Sequence, residues 1–266
     1  MRILPIAALA GAALFATTAL ADDAPAASGP KLAIVYNVGA QTDYMFRGLS
    51  QTTEAASGFA GADATYGEYY AGVWTSNVNL SGDTSTTPDE EIDVYGGWRP
   101  TVAGVALDLG VQYYGYANTP RHVRPEYTEV YVKASRAFGP FTPGVAFFYC
   151  PKFWDLNTSA PGKVNSETYS ELNGAYVINP KWTVSAAVGY VAVDLDTPMI
   201  SNGDGGSVLA TPKFKDYTTW NIGATYAVTD KVTLDLRYID TDNDAHKYFG
   251  DKYAAGRVVA QLKSTF

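Results

Sequence analysis

Apolar and polar residues alternate along most of this chain with a period of two. The alternation falls into twelve stretches near 32–47, 58–66, 69–79, 90–98, 105–116, 127–136, 141–150, 166–177, 182–193, 216–227, 232–240 and 255–266. A period of two sends successive side chains to opposite faces of a β-strand, and no segment shows the 3.6-residue period of a competing helix. Each stretch with a clear phase has one face free of charge. Examples are Leu32, Ile34, Tyr36 and Val38; Ile92, Val94, Gly96 and Trp98; Trp182, Val184, Ala186 and Val188; and Val232, Leu234, Leu236 and Tyr238. The third stretch offers an apolar residue to either side through Ala71-Gly72-Val73-Trp74-Thr75-Ser76, so its faces stay unassigned. Pro143 sits inside the seventh, where a missing backbone donor would open a gap in a ladder, although it lies near the stretch's beginning.

The opposite faces carry the charge: Asp43, Arg47, Asp63, Glu91, Asp93, Asp108, Glu129, Lys133, Glu171, Asp235, Arg237, Arg257 and Lys263. Two architectures alternate in this way. A soluble β-sandwich hides its apolar face in a packed core, whereas a membrane barrel turns that face to lipid and keeps the polar one inside. The connections favour the barrel. Those after even-numbered stretches are short (67–68, 99–104, 137–140, 178–181, 228–231), while those after odd-numbered ones are mostly long and polar (80–89, 117–126, 151–165, 194–215, 241–254). Short turns on one rim, long loops on the other and an even strand number are the marks of an outer-membrane barrel. The expected fold is therefore all-β, a single antiparallel transmembrane β-barrel of about twelve strands.

The chain ends point to the same compartment. Met1 and Arg2 precede an apolar run from Ile3 to Ala16, and Ala19-Leu20-Ala21 fits a small-residue cleavage pattern, so residues 1–21 read as a secretory signal peptide. Residues 22–30 (DDAPAASGP) read as a flexible leader, and 31–266 as the barrel. The last stretch ends on Phe266, whose apolar side chain reads as an address for the barrel-assembly machinery.

Charge and composition narrow the partners. Loss of the signal takes one Arg from the 19 basic residues and none of the 27 acidic ones, leaving a net charge of −9 that argues against nucleic acid. Aromatics make up 14% of the chain, with 20 Tyr, as expected where rings sit at lipid–water interfaces. Cys150 is the single cysteine and reads as a packed side chain.

The run Gln41-Thr42-Asp43-Tyr44-Met45-Phe46-Arg47-Gly48-Leu49-Ser50-Gln51 resembles the TorF-type porin family of Gram-negative bacteria. So do Tyr70-Ala71-Gly72-Val73-Trp74-Thr75-Ser76-Asn77-Val78 and Glu91-Ile92-Asp93-Val94-Tyr95-Gly96-Gly97. Tyr169-Ser170-Glu171-Leu172 and Asp216-Tyr217-Thr218 are similar to later pieces of that family. The resemblance implies a porin-type outer-membrane barrel and carries over no ligand or binding residue.

Twelve strands about 4.8 Å apart and tilted about 40° enclose a backbone diameter of roughly 24 Å, so only small solutes or ions would fit between inward side chains. Among the thirteen inward charges, acids outnumber bases, which predicts a mild cation preference. Asp43 and Arg47, four residues apart on one predicted strand, form the expected first pair of a lumen network. The expected function is passive diffusion of small hydrophilic solutes or ions through a polar lumen in the outer membrane. The surroundings would be outer-membrane lipid and lipopolysaccharide, with no cofactor or metal. The alternative is a plugged structural or loop-presenting barrel for adhesion.

An enzyme reading has little to stand on. His122 and His246 both lie in predicted loops, and no nucleophile motif or metal-ligand spacing accompanies them, although His122 lies near Glu126. Asp240, Asp242, Asp244 and Asp251 match positions 1, 3, 5 and 12 of a calcium loop, but Ala245 replaces the glycine that such a loop needs, and a solvated acidic loop is the expectation.

Overall fold

The computed structural model describes residues 29–80, 88–119, 125–153, 166–194, 199–201, 207–209 and 215–266. The expected signal segment 1–21 and most of the expected leader lie outside them, as does His122. Within the described residues the chain forms a closed antiparallel β-barrel of twelve strands. They are β1 (Ala33–Gln41), β2 (Ser57–Tyr66), β3 (Tyr69–Asn77), β4 (Glu90–Trp98), β5 (Val105–Ala117), β6 (Tyr127–Ser135), β7 (Phe141–Cys150), β8 (Ser166–Asn179), β9 (Trp182–Asp194), β10 (Tyr217–Ala227), β11 (Val232–Thr241) and β12 (Arg257–Thr265). Each pairs with the strand before and after it in sequence. The ring closes where β1 pairs with β12, Asn37 opposite Thr265 through Gln41 opposite Gln261. Every backbone ladder therefore has two neighbours and no edge is left open.

The outward face is apolar. Ile34, Val38, Val94, Val111, Val132, Val145, Leu172, Val188, Ile222 and Leu236 are all exposed large side chains. Near the turn end of the barrel lie Tyr66, Tyr69, Trp98, Phe141, Tyr176, Trp182 and Phe266, and near the loop end Tyr113, Tyr149, Tyr190, Trp220 and Tyr238. Two aromatic girdles flanking an aliphatic band are what a strand cylinder needs to match lipid, with rings at the headgroup levels. No helix among the described residues is long and apolar enough to cross a membrane, which says nothing against crossing by strands.

The strand limits differ from the sequence reading in a few places, each with a local cause. Strand β1 stops at Gln41 rather than running on to 47. Pro143 does lie within β7. Its carbonyl accepts from Arg136 N (3.2 Å), and the β6–β7 ladder begins only at Gly144 opposite Ser135. The proline thus sits at the end of that ladder, where its missing N–H leaves unmade only the return bond to Arg136, a terminal bond and not one in mid-sheet. In β3 the phase is resolved: Tyr70, Trp74 and Ser76 are buried, while Tyr69 and Val73 face outward.

The last long connection contains two short helices the alternation did not predict, α1 (Asn243–Phe249) and α2 (Asp251–Ala254). Asp242 caps α1 by accepting from the backbone N–H groups of Asp244 (3.0 Å) and Ala245 (3.2 Å), and its other oxygen accepts from Thr218 N (2.7 Å). Ala245 and Ala254 are fully buried beside Tyr169, Val191 and Tyr217. The aspartates expected to form a solvated acidic loop are instead partly spent on capping and on holding this helix pair over the loop end of the barrel.

Candidate functional site

The connection between β1 and β2 folds into the barrel instead of out of it. Its cause is visible in its composition: Tyr44, Met45, Phe46 and Leu49 form an apolar group in an otherwise polar segment and need burial. Tyr44 packs edge-on against Trp74 at 5.4 Å between ring centroids and belongs to a buried cluster with Phe59, Tyr70, Val78 and Tyr95. Phe46 meets Tyr114 edge-on at 5.7 Å, and Leu49 packs against the cluster beneath α1 and α2.

At its tip, Met45–Phe46 pairs with Leu49–Ser50 around Arg47 and Gly48. Both turn residues have positive φ, 48° and 82°, the geometry of a two-residue hairpin turn that matches strand twist. For an arginine this conformation is disfavoured, and it persists because the side chain is tied elsewhere. Gly48 is pressed against the wall, where an added Cβ would collide with Thr219 Oγ1 and Thr241 Cγ2. Gly48→Ala is therefore expected to cost about 1–3 kcal/mol, combining a left-handed φ with overpacking, as read from urea unfolding in detergent micelles. An unchanged midpoint would mean the tip is not seated there.

The Arg47 side chain crosses to the far wall. Its guanidinium pairs with Glu167 of β8, and Nη2 donates to Glu129 Oε2 of β6 at 2.8 Å. Nη1 lies 2.8 Å from Glu129 Oε1. The cation also lies over the rings of Phe46 (4.6 Å), Tyr169 (4.7 Å) and Phe148 (5.2 Å). Its backbone carbonyl accepts from Tyr217 Oη at 3.1 Å. The pair expected between Asp43 and Arg47 does not form. They share no strand once β1 ends at Gln41, and Asp43 instead accepts from Ser50 Oγ (2.6 Å), Thr52 Oγ1 (2.8 Å) and Arg257 Nη1 (2.7 Å). One carboxylate thereby fastens the inserted segment to itself and to the start of β12.

The remaining charged residues of the alternation lie in two tiers. Towards the loop end, Glu91 accepts from Tyr44 Oη (2.7 Å), Asp93 accepts from Gln112 Nε2 (2.9 Å) and Glu129 accepts from Tyr114 Oη (3.1 Å). Towards the turn end, Asp63 accepts from Tyr95 Oη (2.7 Å), and Asp108 accepts from Tyr70 Oη (2.7 Å) and Arg99 Nε (3.2 Å). Lys133 lies 4.3 Å over the Tyr131 ring, Glu171 accepts from Tyr169 Oη (2.6 Å) and Asn173 Nδ2 (2.8 Å), and Lys263 is buried. Arg237 reaches Asp235 (3.2 Å), Asn221 (2.6 Å) and Ser185 (2.9 Å). Arg99, Asp108, Lys133 and Asn173 border a cavity of about 180 Å³ near the turn end.

Three contributors escaped the sequence reading. Glu167 has the same parity as Glu171 and was legible by extending that row outward by four residues. Tyr44 and Arg99 were not, since one sits in a connection and the other just past a strand. Cys150 is fully buried beside Tyr114 and Tyr127. His246 Nδ1 lies 2.9 Å from Asp251 Oδ1 and its Nε2 3.7 Å from Asp240 Oδ1. Among the described residues no three His, Cys, Asp or Glu side chains are grouped so as to hold a metal ion.

A closed strand cylinder, apolar outside and polar inside, with the 42–56 connection folded inward, defines the class of outer-membrane-type β-barrels. The chain belongs to the family described as "Bacterial protein of unknown function (Gcw_chp)", whose model matches residues 23–266. No curated protein matches the sequence. Among solved structures the NanC porin is similar at a TM-score of 0.56 and 13% identity, over 88% of this chain and 99% of that one. The KdgM porin follows at 0.49 and 8%, over 88% and 98%. An outer membrane channel from Pseudomonas putida F1 stands at 0.45 and 13%, over 92% and 98%. At these identities the NanC likeness speaks to the fold alone.

Proposed function

We propose that this protein is an outer-membrane pore for passive diffusion of small hydrophilic solutes or ions, with residues 42–56 as its constriction. The observation that carries the reading is the set of inward charged side chains on seven of the twelve strands, β2, β4, β5, β6, β8, β11 and β12, combined with the 42–56 connection that narrows the barrel from within. Near the turn end, where the inserted segment does not reach, Arg99, Asp108, Lys133 and Asn173 border open space of about 180 Å³, which supports a polar path there. The resemblance to the TorF-type porin family supports the same reading. The inward residues Asp43, Arg47, Asp63, Glu91, Asp93, Asp108, Glu129, Lys133, Glu171, Asp235, Arg237, Arg257 and Lys263 would line the path, and the acidic excess among them favours cations.

Purified protein in planar bilayers tests this. Stepwise conductance is expected, with a reversal potential in a KCl gradient of the sign set by potassium. A folded barrel that passes no current would leave the closed, loop-presenting scaffold in its place.

Placement in the outer membrane, contact with lipopolysaccharide and delivery by the barrel-assembly machinery belong to the same proposal. Phe266 fits a delivery signal: it is exposed outward, its backbone exchanges hydrogen bonds with Tyr36 (2.8 and 3.0 Å), and its ring stacks on Tyr36 at 6.1 Å. Phe266→Ala is expected to lower the outer-membrane amount several-fold while leaving refolding in detergent largely intact. Equal loss in both assays would make the residue a packing element only.

A further inference from the structure

Around the inserted hairpin, carboxylates outnumber cations among the described residues. Glu91, Asp93, Glu129 and Glu167 are all buried, and the described cation directly among them is Arg47, which is committed to Glu129 and Glu167. Glu91 is engaged by Tyr44. Asp93 differs: it is 3% exposed, Gln112 satisfies Oδ2, and Oδ1 has no hydrogen-bond partner among the described residues. A buried carboxylate oxygen without a partner is costly, which makes the position a place where a donor is missing.

The geometry says what kind of donor. Asp93 and Glu91 share a face of β4, two residues apart. Asp93 stands directly opposite Tyr114 on β5, whose hydroxyl is bound to Glu129, and Gln112, which holds Asp93, stands opposite Glu129 on β6. Tyr114 stacks on Tyr127 at 4.3 Å, adding ring faces to the same corner. The buried carboxylates call for positive charge, and the unmatched Asp93 Oδ1 calls for a hydrogen-bond donor. An ammonium group meets both needs, because it brings positive charge, N–H donors for Asp93 Oδ1 and an affinity for aromatic faces.

We propose that Asp93, with Glu91 and Glu129, forms a subsite in the lumen that takes the ammonium group of a small amine. The proposal rests on the pore reading and names the solute class that the constriction favours.

The test is the permeability of methylammonium relative to potassium, from bi-ionic reversal potentials of the purified protein in planar bilayers, with tetramethylammonium as the cation that lacks N–H donors. The expected result is methylammonium above potassium and tetramethylammonium below it. Asp93→Asn should lower the methylammonium ratio by about fivefold, the effect of turning a charge-assisted hydrogen bond into a neutral one. A wild-type channel that conducts potassium but ranks methylammonium no higher than tetramethylammonium overturns the subsite and leaves the pore standing, as does an unchanged ratio in Asp93→Asn. Should that variant fail to fold, Glu91→Gln must lower the ratio in the same direction, and an unaltered value there sinks the proposal. If the folded wild type passes no current, the pore reading fails. Methylammonium must then still raise the thermal midpoint of the detergent-solubilised barrel above that in equal potassium, or the subsite falls too.

Discussion

Arg47→Met is expected to lower the stability of the detergent-solubilised barrel by about 3–5 kcal/mol and to raise single-channel conductance several-fold. Methionine keeps the length and much of the apolar stem, so the change isolates the charge. Glu129, 1% exposed, and Glu167 would lose their shared cation while remaining out of water. Breaking a buried pair by removing one partner leaves an uncompensated charge, and that residual charge accounts for most of the cost. The hairpin would retain its apolar contacts through Tyr44 and Phe46 but lose its anchor on the far wall, and the lumen would widen whenever the tip leaves it. Urea unfolding followed by tryptophan fluorescence reads the first effect, and bilayer recordings read the second. Adding Glu129→Gln and Glu167→Gln to Arg47→Met should restore a large part of the stability without closing the pore. If the single variant unfolds at the wild-type midpoint, the network does not hold the segment.

Leu172→Arg is expected to cost about 2–4 kcal/mol, whereas Leu32→Arg should cost about 0–1 kcal/mol. Leu172 is 58% exposed and Leu32 63%, so solvent exposure alone would rank them as equally tolerant. Depth separates them. Leu172 lies well inside β8 between Val145 and Val188 of the flanking strands, while Leu32 precedes β1 at the turn end. A soluble protein would accept either arginine within about half a kcal/mol at such open positions. Unfolding in phospholipid vesicles measures the difference, and equal costs for the two variants would remove the hydrocarbon from around the barrel.

Parity carried most of the architecture. The rows headed by Ile92, Trp182 and Val232 face outward because a two-residue period and a lipid-facing wall leave no other phase without a buried or lipid-exposed charge. The short turns were legible from the same strings, since little chain separates Tyr66 from Tyr69 or Asn179 from Trp182. What failed to read was the point where β1 leaves the sheet. Gln41, Asp43 and Met45 continue to interleave with Thr42, Tyr44 and Phe46, so the local pattern holds no mark of departure. Arg47's partners lie 82 and 120 residues away, beyond the reach of any spacing rule. The phase of β3 was hidden for the same reason: Trp74 faces inward because Tyr44, brought by the inserted segment, covers it. Helix α1 had left signals, with Asp242 as a capping residue and Gly250 after its last turn. The clustered aspartates drew the reading towards ion binding instead.

The seam between β1 and β12 makes the complete ring depend on both of its end strands at once. Arg257 reaches back 214 residues to Asp43, and Gln261 reaches 220 residues to Gln41, so these contacts close some of the longest loops in the molecule and carry a correspondingly large closure entropy. A polypeptide halted before residue 257 would have unmatched rungs on both β1 and β11 and an inserted hairpin with no Arg257 to hold it. Such a product keeps two open strand edges that the complete ring does not have, and with them the exposed backbone groups that closure removes.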